Sequence, residues 1–92
     1  MYSSRASTRF RRDVKRCQKQ GKDMSLFKAI NETLIAGEKL PEKYRDHPLL
    51  GNWKGHRDCH IEADWLLIYR IREDEKEIEY VRMGSHAELF NL

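Results

Sequence analysis

The amino-acid sequence predicts an α+β domain, with an N-terminal helical hairpin packed on one face of an antiparallel sheet of three to four strands and a short C-terminal helical turn. Three observations carry this. Apolar residues recur at helical spacing as far as Gly37, the period changes to two after Gly51, and the stretch between contains Pro41 and Pro48 and no periodicity. The 92 residues are expected to form a single domain, residues 1–92, because a chain of this length has material for one modest core.

Residues 1–9 are rich in Ser, Thr and Arg and poor in apolar side chains, which reads as an edge strand or a frayed tail. Phe10, Val14 and Cys17 then give a short helix with one narrow buried stripe and a basic opposite face, ended by Gly21. Asp23 caps a second helix whose wider apolar face is Leu26, Phe27, Ile30, Leu34 and Ile35, closed by Gly37 and Pro41. So short a turn between two helices makes a hairpin. The segment Leu40 to Gly51 is expected to be a surface loop, and loops of that length tend to carry function.

Trp53 to Ile61 alternates as a strand, Ala63 and Asp64 turn the chain, and Trp65 to Ile71 is nearly all apolar, as in a central strand covered on both faces. Arg72 to Glu77 is a second turn. Strict alternation from Ile78 to Met83 would put Ile78, Tyr80 and Arg82 on one face and Glu79, Val81 and Met83 on the other. Gly84 stops that strand, and Ser85 caps a last turn through Phe90 with Leu89 inward. The hairpin covers one face of the sheet and leaves the other open.

Charged residues make up 36% of the chain, yet the formal net charge is only +3. Its distribution is more telling. Between Arg5 and Lys22 eight basic side chains face Asp13 alone, a concentration that attracts phosphate and that also occurs on plain solvated helix faces. Cys17 and Cys59 stand in dissimilar settings, which suits a reducing compartment better than a disulfide framework, and no zinc spacing is present. The longest apolar run, Trp65 to Tyr69, is far short of the roughly 20 residues a membrane span needs, and the N-terminus has no apolar signal region. The expected location is the cytoplasm, without membrane contact.

All four histidines, His47, His56, His60 and His86, lie after the helices together with Asp58, Asp64 and Arg82. Histidine exchanges protons near neutrality. Cleaving RNA by attack of a ribose 2′-oxygen on the adjacent phosphorus needs a base, an acid and a cation but no metal, and His60, Asp64, His86 and Arg82 are the residue types for those posts. The same His60, Asp64 and His86 could form a two-His, one-carboxylate metal set, although the close ligand spacing of His-x-x-x-His is missing. Cys59 alternates with His60, so a thiol nucleophile would lack an adjacent base. Trp65 opens the apolar strand and suits the core; Phe90 either packs the last turn or stacks on an unpaired base.

Three segments carry a resemblance. Asp46 to Gly55 (DHPLLGNWKG), Arg57 to Tyr69 (RDCHIEADWLLIY) and Arg82 to Phe90 (RMGSHAELF) together resemble the YafQ branch of the RelE/ParE toxin superfamily, over a span from Phe10 to Phe90. The resemblance implies a RelE-like fold and a bacterial type II toxin that enters the ribosomal A site and cuts the messenger there without a metal or other cofactor. Carried over by position, His60, Asp64 and His86 match the catalytic acid–base group. His47 and Arg82 match residues lining the scissile phosphate, Phe90 the terminal aromatic, and Asp58 and Trp65 supporting positions of the same RNA-binding surface. Ala63 departs from the Pro of many relatives, and Met83 from a smaller or β-branched residue.

The implied partners are a cognate antitoxin of the DinJ/RelB kind, the ribosome with its 16S rRNA, and mRNA, with operator DNA reached only through the antitoxin complex. Arg11, Arg12, Lys15, Arg16 and Lys19 are the expected ribosome-binding cations. Two rivals predict no cleavage: a ParE-like gyrase inhibitor of the same fold, and a non-catalytic RNA-binding module whose histidines are structural.

Overall fold

The computed structural model describes residues 1–90 and contains five strands and three helices. In chain order these are β1 (Ser3–Ala6), α1 (Thr8–Lys19), α2 (Met24–Ile35), β2 (His47–Pro48), β3 (Arg57–Glu62), β4 (Trp65–Arg72), β5 (Glu77–Gly84) and α3 (His86–Phe90). Single 3₁₀ turns at Glu42–Tyr44 and Gly51–Trp53 flank β2. No helix among the described residues is long and apolar enough to cross a membrane.

The strand order is β1-β5-β4-β3-β2. Every neighbouring pair is antiparallel except β1 with β5, which run parallel. The N-terminal stretch is therefore the edge-strand alternative, and the sheet is mixed with five strands where three to four antiparallel ones were expected. The fifth is β2, a two-residue pairing inside the segment expected to be a loop. Asp46 anchors that segment: its carboxylate accepts from Arg57 Nη2 at 3.0 Å and from Tyr69 Oη at 2.5 Å.

The helix starts and stops follow local chemistry. Ser7 caps α1 by accepting from the Phe10 N–H, Asp23 caps α2 by accepting from the Ser25 N–H, and Gly21 and Gly37 take left-handed φ values of +79° and +76° after each helix. The helices cover one face of the sheet. Phe10, Cys17, Ile30 and Leu34 meet Cys59, Ile61, Trp65, Leu67, Tyr69, Ile78, Tyr80 and Met83 in the main core. Each large apolar side chain sealed there contributes about 1.5–3 kcal/mol, so this layer fixes where the opposite face points.

Met83 belongs to that core, contrary to strict alternation. The register between β4 and β5 pairs Ile68 with Arg82 but Tyr69 with Tyr80, so Val81 is an extra residue in a β-bulge. A bulge shifts the side-chain phase by one. It returns Met83 to the face of Ile78 and Tyr80 and sets Arg82 opposite Ile68.

The other face is less open than expected. Leu66, Ile68 and Leu89 form a second small core, with Leu49, Trp53, Val81 and Phe90 packed against it. The loop after β2 and helix α3 thus roof part of the sheet, and the remainder holds the polar residues described next.

Candidate functional site

Residues directly opposite on neighbouring strands share a face, and two rows cross this one. The first runs His47, Asp58, Ile68, Arg82 over β2, β3, β4 and β5; the second runs His60, Leu66, Gly84 over β3, β4 and β5. His60 reaches this face because Cys59 and Ile61 on either side of it are drawn into the main core. His86 follows two residues after Gly84, as the first residue of α3.

α3 is fixed by a reciprocal cap, in which the Glu88 N–H donates to Ser85 Oγ at 3.1 Å and the Ser85 N–H donates to Glu88 Oε1 at 2.8 Å. The His86 N–H in turn donates to Asp64 Oδ1 at 2.9 Å, and His86 Nδ1 lies 2.6 Å from the same oxygen. Asp64 thereby holds both the backbone and the ring of His86. The His86 backbone N–H, then its ring, keep the Asp64 carboxyl below the usual carboxylate range. With the Nδ1 proton donated to Asp64, Nε2 is the nitrogen left to exchange a proton. The His60 ring meets the His86 ring edge-on, with centroids 5.6 Å apart.

The structure thus brings His60, Asp64 and His86 together, with His47 and Asp58 in the adjoining row. Asp58 is only 4% exposed, and its Oδ1 has no hydrogen-bond partner among the described residues. Burial pushes its carboxyl up, while His47, His60 and His86 oppose the shift. It lies beneath the histidines instead of offering a surface to RNA. Phe90 is half-buried and edge-on to Trp53 at 6.4 Å, so it packs and still retains an accessible part.

Three further expected contacts are corrected. Trp65, grouped with the RNA-binding surface, is fully buried in the main core and has no surface to present. Arg82 is largely buried and its Nε and Nη2 donate to Asp13 at 2.7 and 3.3 Å, so most of its guanidinium is committed within the protein. Arg16, expected among the ribosome-facing cations, donates to Asp13 Oδ1 at 2.8 Å and to the Met83 carbonyl at 2.6 Å and pairs with Glu88 at 3.1 Å. Arg11, Arg12, Lys15 and Lys19 are exposed on α1 as expected.

Asp13 is the residue that sequence reasoning missed. Burial works to raise its carboxyl, but Arg82, the Met83 N–H and Arg16 outweigh that and hold it below the usual range. Its one signal was its isolation in a basic run. Cys59 is buried, and burial pushes its thiol up, which leaves it protonated and inert.

A helical hairpin on one face of a mixed sheet, with histidines and carboxylates on the other, is the architecture of the RelE-like toxins. The family model described as the bacterial toxin of type II toxin–antitoxin system, YafQ, matches residues 2–91. The chain belongs to this family. It is 46% identical over 85 residues to the mRNA interferase toxin YafQ of Escherichia coli K12, covering 91% of this chain and 90% of that protein. The crystal structure of the E. coli DinJ–YafQ complex contains a chain 43% identical, with a TM-score of 0.89 over 98% of this chain and 99% of that one. A metal-bound toxin from Helicobacter pylori is 40% identical, with a TM-score of 0.92 over 98% of this chain and all of the other.

Proposed function

We propose that this chain is the toxin of a type II toxin–antitoxin pair and an endoribonuclease that cleaves mRNA in the ribosomal A site by acid–base chemistry. The observation that carries the reading is the His86 ring tied to Asp64 at 2.6 Å with His60 in edge contact on the same sheet face. One of the two imidazoles takes the proton of the ribose 2′-hydroxyl as its oxygen attacks phosphorus, and the other gives a proton to the departing 5′-oxygen. The P–O5′ bond breaks as the P–O2′ bond forms, leaving a cyclic phosphate and a free 5′-hydroxyl. Asp64 orients His86 and stabilises its charged form, the role a carboxylate has beside a catalytic imidazole. Asp58 balances charge from below, and His47 faces the phosphate. Phe90 offers its exposed part to a base.

The exposed cations Arg11, Arg12, Lys15 and Lys19 hold ribosomal RNA from the helix side. The antitoxin of DinJ type covers part of this basic surface with an acidic segment that folds on binding, and operator DNA is engaged through that complex.

Inducing the wild type and His86→Ala in cells and mapping messenger 5′ ends tests the reading. In-frame cuts are expected within codons, reduced at least about 10²-fold in the folded variant. Since a relative is known in a metal-bound form, cleavage on purified ribosomes is repeated with a chelator chosen to leave the ribosomes' magnesium in place, and is expected to persist. Absence of cuts, or cuts that survive His86→Ala, overturns the assignment.

A further inference from the structure

Beside His60 lies a cleft of about 390 Å³, walled by Lys43, Tyr44 and Arg45 on one side and by His60, Ile61 and Glu62 of β3 on the other. We propose that this cleft binds an RNA phosphodiester flanking the one that is cut, with Lys43 and Arg45 as its ligands. The proposal rests on the ribonuclease reading above and extends it to substrate positioning.

Neither cation has a carboxylate partner among the described residues. Arg5, Arg16, Arg57, Arg70, Arg72 and Arg82 each have a carboxylate within 4.0 Å. Arg45 has none among the described residues, and apart from arginines of α1 no other arginine is left so. Its neighbour Asp46 is already taken by Arg57 and Tyr69. Lys43 also has no carboxylate partner among the described residues, and the cleft sets these two positive charges against Glu62 alone.

The backbone is arranged for this display. Arg45 adopts φ 50°, ψ 40°, a left-handed conformation that a residue with a Cβ rarely takes unless its surroundings impose it. In that conformation its carbonyl lies 2.8 Å from His47 Nδ1, so one strained residue orients a site histidine and presents a guanidinium. Lys43 Nζ stands over the Tyr44 ring at 5.1 Å, so that aromatic face is occupied by a cation and is not available to stack on a base. The cleft is therefore built to take a phosphate and is indifferent to sequence.

The test is the double variant Lys43→Gln with Arg45→Gln, which removes both charges, keeps polar, unbranched side chains and leaves the left-handed strain unchanged. The probe is a short single-stranded oligoribonucleotide carrying a 2′-O-methyl group at every position, which leaves no 2′-hydroxyl to attack. Its affinity is expected to fall about tenfold, and the slope of log K against log salt to flatten by about 1.4, two contacts at about 0.7 each. In single-turnover cleavage on programmed ribosomes the concentration for half-maximal rate rises while the plateau rate stays within about twofold, equally for all codons. Lys43→Arg with Arg45→Lys restores both readouts. Unchanged affinity and slope, a fall confined to the plateau rate, or a loss confined to antitoxin binding each overturns the proposal. If the wild type binds the probe through these residues but cuts no messenger, the cleavage reading fails and this site stands.

Discussion

Asp58 is the least comfortable side chain on the site face, and its cost identifies its use. Its carboxyl is raised by burial, so the folded protein prefers it protonated; stability is greatest below the ordinary aspartate pKa and falls as pH rises through the raised value. At neutral pH the ionised form carries the desolvation cost of its burial. Asp58→Asn is expected to raise stability by about 1 kcal/mol, or roughly 4–8 °C in Tm for a domain of this size, and to lower the cleavage rate. Thermal unfolding at pH 7 beside single-turnover kinetics checks both halves. Residue type alone supplied the candidates, because all four histidines lie in the chain's second half together with Asp58 and Asp64. Exposure was not legible: Arg82 and Arg16 read as free cations, and only the position of Asp13 between them makes them internal ties.

At the scale of elements, the end of β5 is the decisive joint. Past Ala6 opposite Tyr80 the short β1 no longer covers β5, and side chains of α1 complete the edge: Asp13 Oδ2 accepts the Met83 N–H at 3.0 Å and Arg16 Nη2 donates to the Met83 carbonyl. Gly84 lets Arg16 and the cap of α3 share this space. A Cβ there would sit 2.6 Å from Arg16 Nη2 and 2.9 Å from Glu88 Oε1. Gly84→Ala is therefore expected to cost about 1–3 kcal/mol by overpacking, read by urea denaturation. It should also lower cleavage, since α3 begins with His86. Three helix limits were legible because Asp23, Gly21 and Gly37 act locally, whereas the start of α1 under the Ser7 cap was hidden in a stretch that read as strand or tail. The Val81 bulge and the pairing of β2 were not, because both depend on a partner strand.

For the molecule as a whole, the cations proposed to hold the ribosome and the histidines proposed to cut the messenger fall on separate surfaces. The basic face of α1 lies on the helical layer, and the histidines lie across the sheet from the main core. Arg11→Gln, Arg12→Gln and Lys15→Gln together are expected to weaken ribosome association and reduce its salt slope while leaving thermal stability within about 0.5 kcal/mol, as befits exposed side chains. Sedimentation with ribosomes at two salt concentrations measures the first, and thermal unfolding the second. An Arg16 variant would confuse the two, because that residue ties α1 to β5 and α3.

By itself the sequence determined the α+β class, most of the helix limits and the residue types available for proton transfer, since periodicity, caps and titration are properties of short segments. Tertiary structure alone decided which of those side chains meet. The row His47, Asp58, Ile68, Arg82 exists only once four strands are in register, and His86 reaches Asp64 only after β4 and β5 have turned the chain back across 22 positions. Burial decided the rest, because whether a charge faces water or another charge is set by what the remainder of the chain packs against it.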